Sequence, residues 1–270
     1  MIRLIACDID GTLVGRDLQL SPRVRHTIAR ALERGLLVTL ATGRGPSPTD
    51  YFAEQLGLTA PLVCLQGGVI YDYRLGRALH ETRLPPAVIP WIVGHARARG
   101  WHLHFETTNL VYMPYGVETP DELAALFRVA NLTRVKDFLT GMPEPPHKFI
   151  VSVHHPAERD GVQRELDALV QAAGLPLDVF PSHPVLLEGL PAGINKATGL
   201  AWLARHLGVE RDQVLAIGDN DNDIPMLRWA GVGVAMAGGS PGALAAADWV
   251  APGVDADGAA VAIEKYALNP

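Results

Sequence analysis

The chain has 270 residues, 48% hydrophobic and 19% charged, a globular balance that allows one large domain or two modest ones. Acids outnumber Lys and Arg by 29 to 23, and a net charge of -6 makes the chain a poor holder of a nucleic-acid backbone. No uncharged apolar run is long enough to span a bilayer, and Asp8 and Asp10 interrupt any signal-peptide core, so no membrane association and a cytoplasmic location are expected. Cys7 and Cys64 both lie in apolar strand-like runs and read as buried thiols, not as a disulfide or a metal pair.

Residues 2–6 form a short apolar run that reads as a buried strand. It leads into Asp8-Ile9-Asp10-Gly11-Thr12. Side chains alternate along a strand, so both acids share a face as far as the extended conformation lasts. Close carboxylates need a shared proton or a cation, and Gly11 permits a sharp turn beside them. The stretch points to a site for a divalent metal and a phosphate; the plain alternative is an Asp-Gly turn capping a strand. Residues 21–34 read as a helix, with Ser21-Pro22 as its cap and first turn, Val24, Ile28, Ala31 and Leu32 as its apolar stripe, and Gly35 as its stop. A strand at 36–41 ends in Thr42-Gly43-Arg44, a helix covers 49–56, and a strand at 61–65 ends in Gln66-Gly67-Gly68. Runs at 69–73 and 78–82 flank Arg74-Leu75-Gly76 as a hairpin. Alternating strands and helices predict a parallel sheet covered on both faces.

The pattern changes at Leu84-Pro85-Pro86. Helices are expected at 89–99, 121–130 and 160–173, and strands at 102–106, 110–113, 148–153 and 185–187. Grouped strands and helices suit an α+β module, and proline-containing stretches at its ends are candidate hinges. The expected division is a discontinuous core of 1–83 and 188–270 around an inserted module of 84–187. Alternation then resumes, with helices at 196–207, 224–229, 241–246 and 258–266 and strands at 214–217, 231–236 and 248–251.

Polar groups thus follow strands at Asp8/Asp10, Thr42-Gly43-Arg44 and Asp219 to Asp223, while Lys196 opens a helix. In an open parallel sheet, ligands bind outside the carboxyl ends of the strands. Taken singly, Thr42-Gly43 could be a strand-ending turn and Lys196 an exposed helix residue. The run from Asp219 to Asp223 lacks the ligand spacing and the glutamate of a calcium-binding EF-hand.

In this order and context, Asp8-x-Asp10-Gly11-Thr12, Thr42-Gly43-Arg44, Lys196 and Gly218-Asp219-x-x-Asn222-Asp223 resemble the haloacid dehalogenase superfamily of phosphatases. The whole chain is similar to its Cof-like branch, which implies a Rossmann-like doubly wound α/β core with an inserted α+β cap that governs substrate choice. The resemblance implies that Asp8 attacks phosphorus to give an aspartyl-phosphate, while Asp10 protonates the leaving group and then activates water. It implies Mg²⁺ on the Asp8 carboxylate, the Asp10 carbonyl and the Asp219 carboxylate, with Asp223 holding metal-bound water or directing Lys196. Thr42, Gly43 and Lys196 would hold the phosphate, and Asn222 would contact it or steady the lysine. Arg44 is left outside this set, as a residue that pairs with nearby acids.

Two positions depart from the family pattern: Gln66 stands where Asn is usual, and Ala197 where Gly is common. Among the histidines, His102/His104 and His154-His155 lack enough converging ligands for a metal. Tyr115, His147 and His183 are candidate cap contacts to substrate. The implied activity is hydrolysis of small phosphate monoesters, sugar phosphates first and phosphorylated cofactors next. The alternatives are a dedicated phosphatase for sucrose phosphate or mannosylglycerate phosphate, a phosphomutase, and a signalling domain that accepts one phosphoryl group on aspartate.

Overall fold

The computed structural model describes residues 1–116 and 131–269. The helix expected at 121–130 lies outside the described residues. The chain divides into two compact units, Met1–Arg44 with Thr49–His80 and Asn195–Pro270, and Gly45–Pro48 with Glu81–Ile194. Strands and helices are numbered along the whole chain.

In the first unit, β1 (Leu4–Cys7), β2 (Leu37–Leu40), β12 (Val214–Gly218), β13 (Val232–Met236) and β14 (Trp249–Ala251) form a parallel sheet in the order β14-β13-β12-β1-β2. Its strands are short, nearly continuous apolar runs because both faces are covered. Ile5, Cys7, Val38, Leu40 and Ile217 pack with Ile28 of α1 (Pro22–Glu33) and Ala259 and Ile263 of α9 (Gly258–Ile263). Leu4, Ala6, Val214 and Ala216 pack instead with Leu200 and Leu203 of α6 (Lys196–His206) and Leu227 of α7 (Ile224–Trp229). Ser21 caps α1 by accepting from the Val24 amide, and Pro22 supplies its first turn. Asn195 caps α6 by accepting from the amides of Ala197 and Thr198. Beyond β2, β3 (Leu62–Cys64) starts a second sheet with β4 (Val69–Asp72) and β5 (Arg77–Glu81). It is tied to the first by the Thr42 amide donating to Val63 O at 2.9 Å. Helix α2 (Pro46–Gln55) starts three residues before the expected 49, because both its prolines fall in the first turn, where a missing amide costs nothing. Cys7 and Cys64 are buried free thiols; burial, reinforced by Asp8, pushes Cys7 up to about 12.

The second unit is a six-stranded sheet in the order β10-β11-β9-β6-β7-β8, made from β6 (His102–Glu106), β7 (Val111–Pro114), β8 (Leu132–Val135), β9 (Lys148–Ser152), β10 (Leu177–His183) and β11 (Leu186–Pro191). Its pairs are antiparallel except β7 with β8. Helices α3 (Val88–Arg99) and α5 (Pro156–Ala173) share a core with Phe105, Phe149 and Val151. A short turn, α4 (Phe138–Gly141), adds Phe138 to that core.

Strands β8 and β10 were not anticipated. β8 is a four-residue edge strand, and β10 carries Pro181 at a bulge on the opposite edge, where a missing amide is tolerated. β11 runs to Pro191 instead of stopping at 187; inside it Gly189 packs on the Phe149 ring, from which a Cβ would lie 2.0 Å. The unit therefore spans 81–194 where 84–187 was expected. At its front edge Glu81 belongs with it, accepting from Thr108 Oγ1 at 2.5 Å and pairing with Arg83 at 2.8 Å.

Candidate active site

The strand order of the first unit reverses at β1, with β2 on one side and β12 on the other. Chain segments leaving β1 and β12 diverge there and open a crevice at the carboxyl edge. Asp8 follows β1 directly, its amide donating to Ile217 O at 2.9 Å. Gly11 turns the chain at φ 83°, and a Cβ on it would meet Asp219 Oδ2 at 2.3 Å. Glycine is required there both for the backbone and for the approach. Thr12 Oγ1 donates to Asp219 Oδ1 at 3.3 Å.

Lys196, at the start of α6, joins the two strand ends. Its Nζ donates to Asp8 Oδ1 and to Asp223 Oδ1, both at 2.6 Å. Lys196 is 1% exposed, Asp8 6% and Asp223 0%, so all three charges depend on one another and not on water. Asp223 Oδ2 is satisfied separately by the amides of Asp219 and Asn220, at 2.9 and 3.0 Å. Burial raises Asp8 well above the usual carboxylate range; Lys196 opposes the shift, and Asp223 and Asp219 add to it. Burial and then Asp223 push Asp219 up to about 6, against Lys196. One lysine does not balance this many acids. Carboxylate oxygens of Asp8, Asp219 and Asp223 lie within 4.8 Å of one another. Three hard oxygen donors that lack positive charge fit a divalent cation. This is the one group of three or more metal-capable side chains among the described residues.

Asp10 stands apart from that group. Its side chain is 52% exposed and forms a two-pronged pair with Arg44, Nε to Oδ2 at 2.8 Å and Nη2 to Oδ1 at 2.6 Å. Arg44 in turn lies over the Phe52 ring, 5.5 Å from its centroid. Arg44 thus pairs with a nearby acid, as its sequence reading expects, and that acid is Asp10.

Thr42 is buried, and its Oγ1 accepts from the Arg44 amide at 3.1 Å, which leaves its own proton to donate elsewhere. Gly43 lies against Gln66: a Cβ would be 2.5 Å from Gln66 Nε2. Asn222 Nδ2 donates to Gln66 Oε1 at 3.1 Å. Of the two expectations for Asn222, contact with the phosphate or with Lys196, the structure bears on the second: the polar contact it gives Asn222 is with Gln66.

His147 is not a surface that substrate can reach. It is fully buried, its Nδ1 donating to Thr82 O at 2.8 Å and its Nε2 lying 2.9 Å from Thr108 Oγ1. Tyr115 is 61% exposed just beyond β7, and His183 ends β10. His102 and His154 pair through their Nε2 atoms at 2.9 Å, without a third ligand. No helix among the described residues is long and apolar enough to cross a membrane.

A family model described as haloacid dehalogenase-like hydrolase matches residues 5–263. The chain is 30% identical to the 5-amino-6-(5-phospho-D-ribitylamino)uracil phosphatase of Bacillus subtilis, across 97% of each chain. It is 31% identical to the HMP-PP phosphatase of Serratia proteamaculans, across 89% of this chain and 86% of that one. A crystal structure of a haloacid dehalogenase-like hydrolase from Bacteroides thetaiotaomicron superposes with a TM-score of 0.86 at 30% identity, covering 98% of this chain and 99% of that one.

Proposed function

The chain belongs to the haloacid dehalogenase-like hydrolases, and from that premise we propose a Mg²⁺-dependent phosphatase that hydrolyses small phosphate monoesters through an aspartyl-phosphate on Asp8. The observation that carries the residue roles is Lys196 donating at 2.6 Å to Asp8, beside Asp219 and Asp223. The relatives are named for 5-amino-6-(5-phospho-D-ribitylamino)uracil and for HMP-PP, and the first of these favours a small ester with a polyol or heterocyclic leaving group.

Asp8 attacks phosphorus, and the ester P–O bond breaks. Asp10 gives its proton to the departing alkoxide, then as carboxylate takes one from the water that attacks the phosphoryl group and frees Asp8. Lys196 supplies a fixed positive charge beside the nucleophile, and Thr42 Oγ1 and the Gly43 amide hold phosphoryl oxygens. The Asp8 and Asp219 carboxylates and the Asp10 carbonyl, with Asp223 beside them, would hold a divalent cation, which would supply charge neutralisation between the carboxylate and the phosphate dianion. Oxygen-only donors suit a hard cation such as Mg²⁺. Uncatalysed hydrolysis is slow enough to demand accelerations of up to about 10²¹, so no single residue suffices.

These groups address the phosphoryl moiety alone. We assign selectivity among esters to the second unit, with Tyr115 and His183 as positions to vary. A small-molecule substrate, no nucleic-acid partner and a cytoplasmic location complete the reading, supported by the net charge of -6 and the buried free thiols. The test is a panel of phosphate esters, including sugar phosphates, flavin mononucleotide, pyridoxal phosphate and 5-amino-6-(5-phospho-D-ribitylamino)uracil. Steady turnover on one of them supports the reading. Uptake of a single phosphoryl group per chain identifies a receiver-type acceptor instead.

Two variants separate the roles of the acids. Asp219→Ala removes a ligand charge and raises the Mg²⁺ midpoint of activity by about tenfold or more, by analogy with losses on weakening a metal's surroundings. Asp10→Asn keeps its carbonyl and mainly lowers kcat, by about 10²–10⁴-fold. A larger shift in midpoint for Asp10→Asn than for Asp219→Ala reverses the assignment.

Arg44 fixes the direction of the Asp10 carboxylate, so its loss shows where the leaving group needs a proton. Arg44→Ala lowers kcat/KM for alkyl phosphates by about tenfold and barely changes it for p-nitrophenyl phosphate, whose phenolate leaves unaided. Equal losses on both substrates contradict that role.

A further inference from the structure

Residues 65–67 form a turn in which three successive residues have positive φ: Leu65 at 49°, Gln66 at 59° and Gly67 at 94°. Two of them are not glycine, and such residues are strained unless their surroundings hold them. The surroundings here are the strand-end loops of the candidate site. The Leu65 amide donates to Arg44 O at 2.9 Å, and the Gln66 amide to Thr42 O at 3.0 Å. A Cβ on Gly67 would lie 2.2 Å from Asn195 O, so the turn also abuts the residue before Lys196. The Gln66 side chain is 2% exposed. Its Oε1 accepts from Asn222 Nδ2 at 3.1 Å, and its Nε2 packs on Gly43.

Backbone preference alone argues against glutamine at this position. Asparagine is among the non-glycine residues most at home near φ 60°, because its short amide bonds locally. Glutamine gives up that preference and gains one methylene of reach. In this chain the reach is used to place one end of the amide on Asn222 and the other against Gly43. The bond also orients Asn222: with Nδ2 turned to Gln66, its Oδ1 is buried without a hydrogen-bond partner among the described residues. That oxygen can only accept, so it has nothing to offer a phosphoryl oxygen.

We propose that Gln66 is a positioning residue, whose side-chain amide clamps the Thr42-Gly43 loop to Asn222 and thereby sets the affinity for the phosphoryl group. The role rests on the phosphatase reading above. It implies that fold stability and phosphate affinity respond to Gln66→Asn in opposite senses.

The experiment uses the full chain, with inorganic phosphate as the probe. Wild type, Gln66→Asn, Gln66→Ala, Asn222→Ala and the double variant Gln66→Asn/Asn222→Ala are compared in melting temperature and in inhibition of p-nitrophenyl phosphate hydrolysis by phosphate. Gln66→Asn melts at or above the wild-type temperature, while its inhibition constant for phosphate rises about tenfold, the scale of loss for a slightly misplaced group. Asn222→Ala shows a similar rise, and the double variant adds little to either, because both break one clamp. An unchanged inhibition constant in Gln66→Asn overturns the inference, as does a change that merely follows a lowered melting temperature or full additivity in the double variant. Wild-type hydrolysis in the same assay judges the phosphatase reading independently of Gln66.

Discussion

Asp8→Asn abolishes turnover and leaves the fold intact. The asparagine keeps the shape of the side chain, and its carbonyl oxygen can still accept from Lys196, which donates to Asp8 Oδ1 at 2.6 Å. What disappears is the charge that attacks phosphorus. Loss of a covalent nucleophile elsewhere costs about 10⁶-fold in kcat, and the fall here is at least about 10⁴-fold, down to the level set by the phosphate-holding groups alone. Stability moves the other way or stays level. Burial and the neighbouring acids already hold Asp8 far above the ordinary carboxylate range, so removing its charge relieves repulsion in protein without metal. Measuring kcat and the melting temperature on one preparation checks both halves. A folded Asp8→Asn protein with substantial turnover contradicts the covalent route.

Lys196→Met has the second largest effect, and it acts on the fold as well as on the chemistry. Lys196 is 1% exposed and bridges Asp8 and Asp223, which are themselves buried. Methionine fills much the same volume but leaves two buried carboxylates facing each other without a cation. Breaking a buried pair in this way costs about 3–5 kcal/mol. Part of that loss returns in Lys196→Met/Asp223→Asn, which removes one of the stranded charges. Activity does not return, because the fixed positive charge beside Asp8 is still missing. Denaturant unfolding of the metal-free single and double variants, alongside kcat, separates the two effects. A single variant as stable as wild type shows that Lys196 does not carry the buried charge.

The sequence made the first unit legible because its signals there are local and mutually consistent. Ser21-Pro22 marks the start of α1, and the short apolar runs before Asp8, Thr42 and Asp219 mark strands buried on both faces. Helix α7 and α8 (Pro241–Ala246) lie where proline and the flanking turns place them. The second unit was less legible, since its edge strands are short and β10 carries a proline. Gly189 lies inside β11 because the Phe149 ring on the next strand occupies the space of a side chain, which no local pattern reveals.

The same distinction holds within the candidate site. Which residues end which strands follows from the motifs, and so does the meeting of Asp8, Lys196, Asp219 and Asp223. Side-chain direction does not follow. Arg44 turning onto Asp10, and Asn222 onto Gln66, depend on rotamers and on neighbours 34 and 156 residues away. His147, a candidate cap contact to substrate by sequence, is instead buried completely with a hydrogen-bond partner on each ring nitrogen, a placement no local pattern reveals.

The central claim is that the phosphoryl group passes through Asp8. Rapid quenching of the enzyme during steady turnover, followed by borohydride reduction, converts an aspartyl-phosphate to homoserine in the peptide carrying position 8. The account predicts homoserine at that position, dependent on substrate and absent from Asp8→Asn. Turnover without any reduced residue, or reduction at a different acid, contradicts it.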